Sequence, residues 1–255
     1  MISENKLILD MSDEEYAALP HLSASKLRAL HLYPPRRAHQ DLNKKKFEKN
    51  IPFGRLLHLF VLEPKIAESM LVAIDENTTK SDKNTVAAKR SELMAQGKYP
   101  VPNSTYLQLE HLRDLCHEHK ECNNILQNSQ KEATALWHDE DYEVDGKSKI
   151  DIISENTIFD LKTAAGGHNI KDFKRSIQRM AYLIQAYWYK RSLSMILNKE
   201  FNFGFIVVDP EYKIVRIHHL EQHDLELGKQ QVELSIKTWK HCTKHKSWPK
   251  HFIFN

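Results

Sequence analysis

The stretch from Lys149 to Thr163 constrains this chain more than any other. Lys149-Ile150-Asp151 closes one strand, Ser154-Glu155-Asn156 makes a turn, and Thr157–Thr163 reads as the next strand. Strand side chains alternate between faces, so Ile158, Asp160 and Lys162 share one face while Phe159, Leu161 and Thr163 share the other. A carboxylate and an ammonium one pleat apart in an otherwise apolar strand are costly to bury unpaired. A divalent cation would compensate Asp151 and Asp160, and a substrate phosphate would compensate Lys162. Both aspartates are hard oxygen donors of the kind Mg²⁺ prefers. Such an ion acidifies a bound water and neutralises charge in phosphodiester hydrolysis. Lys162 would then orient the attacking water or stabilise that charge. An ordinary salt bridge in a surface hairpin is the competing account, because Asp-x-Lys is a common triplet.

The rest of the chain must supply a core around this stretch. With 255 residues, 41% hydrophobic and 28% charged, one globular domain over 1–255 is expected and a largely disordered protein is excluded. The net charge of +3 permits nucleic-acid binding without demanding it. Basic residues concentrate at 26–49, where Lys26, Arg28, Arg36, Arg37, Lys44, Lys45, Lys46 and Lys49 face only Asp41 and Glu48. Cys116, Cys122 and Cys242 form no disulfide framework and no C-x-x-C site, and three thiols cannot hold a four-cysteine iron–sulfur cluster. The first residues lack the apolar core of a secretion signal, and no apolar run reaches membrane-spanning length, so a cytoplasmic protein without a membrane partner is expected.

Residues 1–50 read as N-terminal helices and a basic linker. Ser12 and Glu15 form a capping-box pattern for a helix over 12–19. Ser23 is the N-cap of a second helix, which Tyr33-Pro34-Pro35 ends. Ser25, Lys26 and Arg28 at that helix start would suit a phosphate, or would simply be solvated residues of a capped helix. Phe53, Leu56, Leu57, Phe60 and Val61 repeat with helical spacing. His58 lies at the edge of that apolar face, one turn after Gly54, a position more often filled by a core histidine than by a ligand.

Residues 66–103 read as a loop-rich insertion with a short helix near Thr85–Gln96, followed by a helix over Thr105–Leu126. His111, His117 and His119 share no single helical face and read as a solvated stripe. Lys131–His138, Tyr142–Ile153 and Thr157–Thr163 form a three-strand meander. One long helix is expected over Asn169–Leu197, with Gln185 and Tyr189 one turn apart and able to face one site. Strands at Phe201–Val208 and Lys213–His219 and a helix over Asp224–Cys242 complete the chain before Trp248-Pro249.

A helix, a meander carrying the acidic residues, a long helix and another strand is the α/β core of the PD-(D/E)xK, restriction-endonuclease-like fold, a central mixed β-sheet flanked by helices. The chain resembles the RecE-type (exonuclease VIII) family in particular, related to lambda exonuclease and RecB-type nuclease domains. Gly54-Arg55-Leu56-Leu57-His58-Leu59-Phe60-Val61-Leu62-Glu63-Pro64 is similar to its G-x-x-x-H-x-x-x-L-E-P signature. Ser23-x-Ser25-x-Leu27 with Tyr33-Pro34, then Glu132, Trp137, Asp151, Asp160-Leu161-Lys162-Thr163, Gln185-x-x-x-Tyr189 and Trp248-Pro249 follow in the family's order.

The resemblance implies a metal-dependent 5′→3′ exonuclease on double-stranded DNA ends, acting with a single-strand annealing protein in recombination, usually in a phage or prophage. It implies that His58, Asp151 and Asp160 hold Mg²⁺, for which Mn²⁺ can substitute, with the Leu161 carbonyl as a further ligand. Lys162 would serve the water, Gln185 and Tyr189 would orient the scissile phosphate or Lys162, and Glu132 would be an outer partner of the metal. A homo-oligomeric ring, tetramer or trimer, is expected on the same ground. The Asp151–Asp160 connection is shorter than usual and no proline precedes Asp151. An endonuclease or helicase-linked nuclease of the superfamily, and a non-catalytic DNA-binding recombination accessory protein, are the alternatives.

Overall fold

The structure is a computed structural model that describes residues 5–43, 51–75, 83–167 and 169–254. The N-terminal part contains β1 (Lys6–Ile8), α1 (Asp13–Ala18), β2 (Leu22–Ser23), α2 (Ala24–Leu32) and α3 (Pro35–Asn43). Next come α4 (Phe53–Leu62), α5 (Pro64–Met70), β3 (Leu71–Ile74), α6 (Lys83–Ala95), β4 (Tyr99–Pro102), α7 (Asn103–Glu118) and α8 (Lys120–Gln127). The meander is β5 (Gln130–Asp139), β6 (Val144–Ser154) and β7 (Thr157–Thr163), and the chain ends with α9 (Ile170–Arg179), α10 (Tyr182–Leu197), β8 (Asn202–Asp209), β9 (Ile214–His219) and α11 (Gln222–His245).

The main sheet runs β1-β5-β6-β7-β8-β9, with β2 as a short parallel partner of β6. Only the β7–β8 and β2–β6 pairings are parallel, so the sheet is mixed. The alternation read from β7 holds. Ile158 belongs to the core layer that α2, α9, α10 and α11 cover, while Phe159 and Leu161 belong to the layer under α4, α7 and α8. Both layers are tightly filled. Trp137 and Trp188 lie fully buried with ring centroids 4.8 Å apart, and the Trp188 indole donates to the Lys147 carbonyl at 3.2 Å. Two glycines permit this closeness: a side chain at Gly146 would enter the Trp137 ring, and one on Gly228 of α11 would collide with the Leu183 carbonyl on α10.

Strand β6 is the organising element. One edge pairs with β5 through most of its length. On the other edge, Gly146 and Lys147 pair with β2, while Ile152, Ile153 and Ser154 pair with β7. Among the described residues, positions 148–151 therefore have no ladder partner on that side, and β6 and β7 splay apart beyond the Ile152–Phe159 pair. The β5 edge is also disturbed at this level, because Glu132 adopts φ 53° and makes no ladder pair opposite Asp151.

Several local expectations are corrected. Residues 64–74 and 83–102 are regular rather than loop-rich: α5 and α6 accompany a two-stranded parallel sheet of β3 and β4. The segment read as one helix over Thr105–Leu126 breaks at His119, whose imidazole accepts the Cys122 N–H at 3.2 Å and caps α8. The long helix expected over Asn169–Leu197 breaks at Met180-Ala181, where Ala181 is left-handed at φ 49°. No proline or glycine marks that break. Its cause is tertiary: Arg28 Nε takes the Met180 carbonyl at 2.9 Å, removing an acceptor from the helical ladder. The basic linker residues Lys44, Lys45, Lys46 and Lys49, and residues 76–82 of the polar segment, lie outside the described residues.

Candidate active site

Five elements deliver side chains to the gap between β6 and β7. Helix α4, anchored by the buried Leu56, Leu57, Phe60 and Val61, lies over one face of the sheet and points His58 at the gap. Strand β5 contributes Glu132 at its irregular residue, β6 contributes Asp151, and β7 contributes Asp160, Leu161 and Lys162. From the opposite face α10 contributes Gln185 and Tyr189, both buried.

These residues fall into two groups. His58, Glu132 and Asp151 each bring a ligand atom within 4.8 Å of the others. His58 Nδ1 is 3.6 Å from Asp151 Oδ2, and His58 Nε2 donates to the Leu161 carbonyl at 2.7 Å. That bond fixes the imidazole with Nδ1 turned toward the carboxylate. Asp151 Oδ2 also accepts the Leu161 N–H at 2.9 Å, so a side chain replaces the missing strand pairing. In the second group Asp160, only 1% exposed, lies 2.5 Å from the Lys162 ammonium and accepts the Gln185 amide at 2.5 Å. Lys162 also donates to Gln185 Oε1 at 3.2 Å. Tyr189 stands one turn after Gln185 on α10, and burial raises its hydroxyl pKa well above the ordinary value.

The electrostatics of the groups differ. Burial, then the charge of Asp160, pushes Asp151 up to about 6 despite His58, Lys162 and the Leu161 N–H. Burial, Asp151 and Glu63 push Glu132 up to about 8, against the pull of Lys149 and Arg55. Glu132 Oε1 is buried and accepts no hydrogen bond among the described residues. Paired carboxylates with raised pKa values and a buried oxygen that accepts no hydrogen bond form a donor set that fits a divalent cation. Oxygens plus one imidazole suit a divalent metal, and two ligands around one such ion are separated by about 3–4 Å at usual metal–ligand distances. The His58–Asp151 separation fits that geometry.

Glu132, read from the sequence as an outer partner, thus sits in the tightest cluster, while Asp160 turns toward Lys162 and Gln185. The Leu161 carbonyl is at the site but engaged by His58. Ser25, Lys26 and Arg28 are held locally. Ser25 pairs with Ser23 at 3.0 Å, Lys26 donates to the Pro20 and His21 carbonyls, and Arg28 holds Met180 and lies 5.0 Å from the Tyr182 ring centre. Arg55 and Lys149 were passed over in the sequence, yet both line the cavity of about 300 Å³ formed with Gly54, His58, Glu132 and Asp151. Arg55 stands three residues before His58 on α4 and Lys149 two residues before Asp151 on β6, and that periodicity is the signal that could have found them.

A mixed sheet with helices on both faces, splayed at an Asp/Asp-x-Lys centre, defines a protein of the PD-(D/E)xK nuclease superfamily, whose members generally use divalent metals. The chain belongs to the family described as PDDEXK-like domain of unknown function (DUF3799), whose profile matches residues 23–252. Among solved structures it is similar to that of a "putative exonuclease" from Eubacterium rectale, with a TM-score of 0.62 and 14% identity, covering 94% of this chain and 89% of that one. No curated protein matches the chain. Among the described residues no helix is long and apolar enough to cross a membrane. Family and fold together support a nuclease function.

Proposed function

We propose that this chain is a Mg²⁺-dependent exodeoxyribonuclease that digests double-stranded DNA from its ends in the 5′→3′ direction. The observation that carries the chemistry is the convergence of two unlike groups on one gap: facing carboxylates at Glu132 and Asp151 with raised pKa values, and a lysine held by Asp160 and Gln185. His58, Glu132 and Asp151, with Asp160 beside them, would hold the ion, and Mn²⁺ would satisfy the same donors. When bound, the metal supplies Lewis acidity and an acidified water. Lys162 holds a positive charge where negative charge develops on the phosphate, and Gln185 fixes its ammonium. Tyr189, buried one turn further along α10, would orient the scissile phosphate or Lys162.

The preference for ends, the polarity and a role in annealing-type recombination with a single-strand annealing protein rest on the RecE-type resemblance of the α4 signature and of the ordered residues after it. A homo-oligomeric ring, tetramer or trimer, belongs to the same proposal. A net charge of +3 gives a single subunit little hold on a duplex at physiological salt. The deciding experiment is digestion of end-labelled linear and closed circular duplex with Mg²⁺. An exonuclease consumes only the linear form. Degradation of both forms establishes an endonuclease, and degradation of neither an accessory protein. Activity undiminished in excess EDTA would remove the metal assignment.

A further inference from the structure

Arg55 and Lys149 are cations at the mouth of the candidate metal site, and neither has a role in the chemistry above. Each binds the same carboxylate: Asp13, the first residue of α1, contacts the Arg55 guanidinium and the Lys149 ammonium together. Lys149 also stands 3.7 Å from Glu132 Oε2. Asp13 is 53% exposed in its side chain, whereas Lys149 is 16% exposed. The carboxylate thus approaches from the solvent side onto Lys149 and the 37% exposed Arg55, both of which line the cavity at the metal position. A larger cavity of about 800 Å³, reaching Asp13 and Met11, shares Arg55, Glu132 and Lys149 with the smaller one.

We propose that Arg55 and Lys149 form a second phosphate subsite, for a DNA phosphodiester next to the scissile one, and that Asp13 occupies it as an internal phosphate surrogate when DNA is absent. The inference rests on the nuclease reading above and deepens it. An arginine fork and a lysine converging on one small anion are the usual recognition of a phosphate. Exchanging the Asp13 carboxylate for a phosphodiester swaps one monoanion for another, so neither cation is left unpaired at any stage.

The placement of Asp13 is built into the fold. The Ser12–Glu15 capping box fixes the start of α1, and Lys147 donates to the Tyr16 and Leu19 carbonyls at its end, at 2.7 and 2.8 Å. Asp13 itself needs only a side-chain rotation to leave. Although burial raises its pKa, the hydrogen bond from Lys149 and the charges of Arg55 and Lys149 hold it below the ordinary carboxylate value, so it remains an anion.

The test is binding of a short fluorescent duplex in Ca²⁺, with cleavage in Mg²⁺ followed in parallel. Asp13→Asn frees both cations and is expected to bind about tenfold more tightly, with a salt dependence steeper by roughly one to two counterions. Asp13→Glu keeps the anion and is expected to behave as wild type, and thermal melting of both variants reports that the fold is intact. In an Arg55→Gln, Lys149→Gln background, binding is expected to weaken and Asp13→Asn to add nothing. A gain from Asp13→Asn that persists in that background overturns the subsite, because it would be long-range electrostatics. Wild-type cleavage with no change in Asp13→Asn overturns the surrogate and leaves the nuclease reading standing. A wild type that neither binds nor cleaves DNA overturns the nuclease reading, and the subsite with it.

Discussion

The two halves of the candidate site each place a buried aspartate at the gap and have different electrostatic characters. In the His58–Glu132–Asp151 half, carboxylates face one another, their pKa values rise, and one buried oxygen has no hydrogen-bond partner among the described residues. In the Asp160–Lys162–Gln185 half, the carboxylate is more deeply buried; Oδ1 accepts the Gln185 amide at 2.5 Å, while Oδ2 accepts no hydrogen bond among the described residues but lies 2.5 Å from the Lys162 ammonium. The first half has its nearest ammonium, Lys149, at 3.7 Å from Glu132, whereas in the second an ammonium and a carboxylate stand 2.5 Å apart. Burial alone therefore does not mark the metal side of such a site; carboxylates whose pKa values stay raised although Lys149 stands 3.7 Å from Glu132 do.

That contrast is broken most directly at Lys162. Lys162→Ala removes charge where the phosphate reacts and none of the metal's ligands. The single-turnover rate should fall by about 10²–10³-fold, while calorimetric metal affinity holds or rises. Asp160→Asn should lower both. A near wild-type rate for Lys162→Ala would reduce Lys162 to a structural ion pair and end the catalytic reading of Asp160-Leu161-Lys162.

Gln185→Ala should have the next largest effect. It leaves the Lys162 ammonium and the Asp160 carboxylate without their shared amide, and a cost of about 10–100-fold in rate is expected. Metal affinity should change less than in His58→Ala, which removes an imidazole from the other half. Equal losses of metal affinity in the two variants would mean that the halves are not separable.

A smaller effect is expected in the pH dependence of stability. Glu132 titrates in the folded protein near 8, against 4.5 for an ordinary glutamate, and Asp151 near 6 against 3.8. Without metal the folded state holds protons that the unfolded chain has released, so these groups lower stability as pH rises from 3.8 toward 8. A bound cation cancels that loss. The rise in Tm produced by Mg²⁺ or Mn²⁺ over EDTA should therefore grow from pH 6 to pH 8. A pH-independent rise would place the ion elsewhere.

The smallest expected effect lies behind the second half. Arg28→Ala removes the hydrogen bond that holds the Met180 carbonyl at the break before α10. A loss of about 1 kcal/mol, or roughly 2–4 °C in Tm, should accompany a modest fall in rate at unchanged metal affinity, because α10 positions Gln185. A changed metal affinity would show that the break supports both halves.

Much of this arrangement was legible from local pattern. Period-two alternation placed Asp160 and Lys162 on one face of β7, and the structure keeps them there, because a half-buried strand cannot slip register without exposing Phe159 and Leu161. The apolar spacing of α4 and the Ser12 and Ser23 caps were readable for the same local reason. His58, Glu132 and Gln185 drew their roles from the ordered resemblance, since nothing in their immediate sequence distinguishes them from core or surface residues. Arg55, Lys149 and Asp13 went unread because their meeting joins α1, α4 and β6.

The sequence by itself determined which strands carry acids, which faces are apolar and where most helices begin, because propensity, capping and alternation act over a few residues. Tertiary structure decided the rest. It opened the gap at residues 148–151 by giving β6 two different partners on one edge, and it broke the helix at Ala181 with an arginine from α2. It also turned Asp160 toward Lys162 and left Glu132 facing Asp151. Those choices depend on charges and carbonyls that meet only after distant segments pack, and the low dielectric of that packed interior raises the Glu132 and Asp151 pKa values.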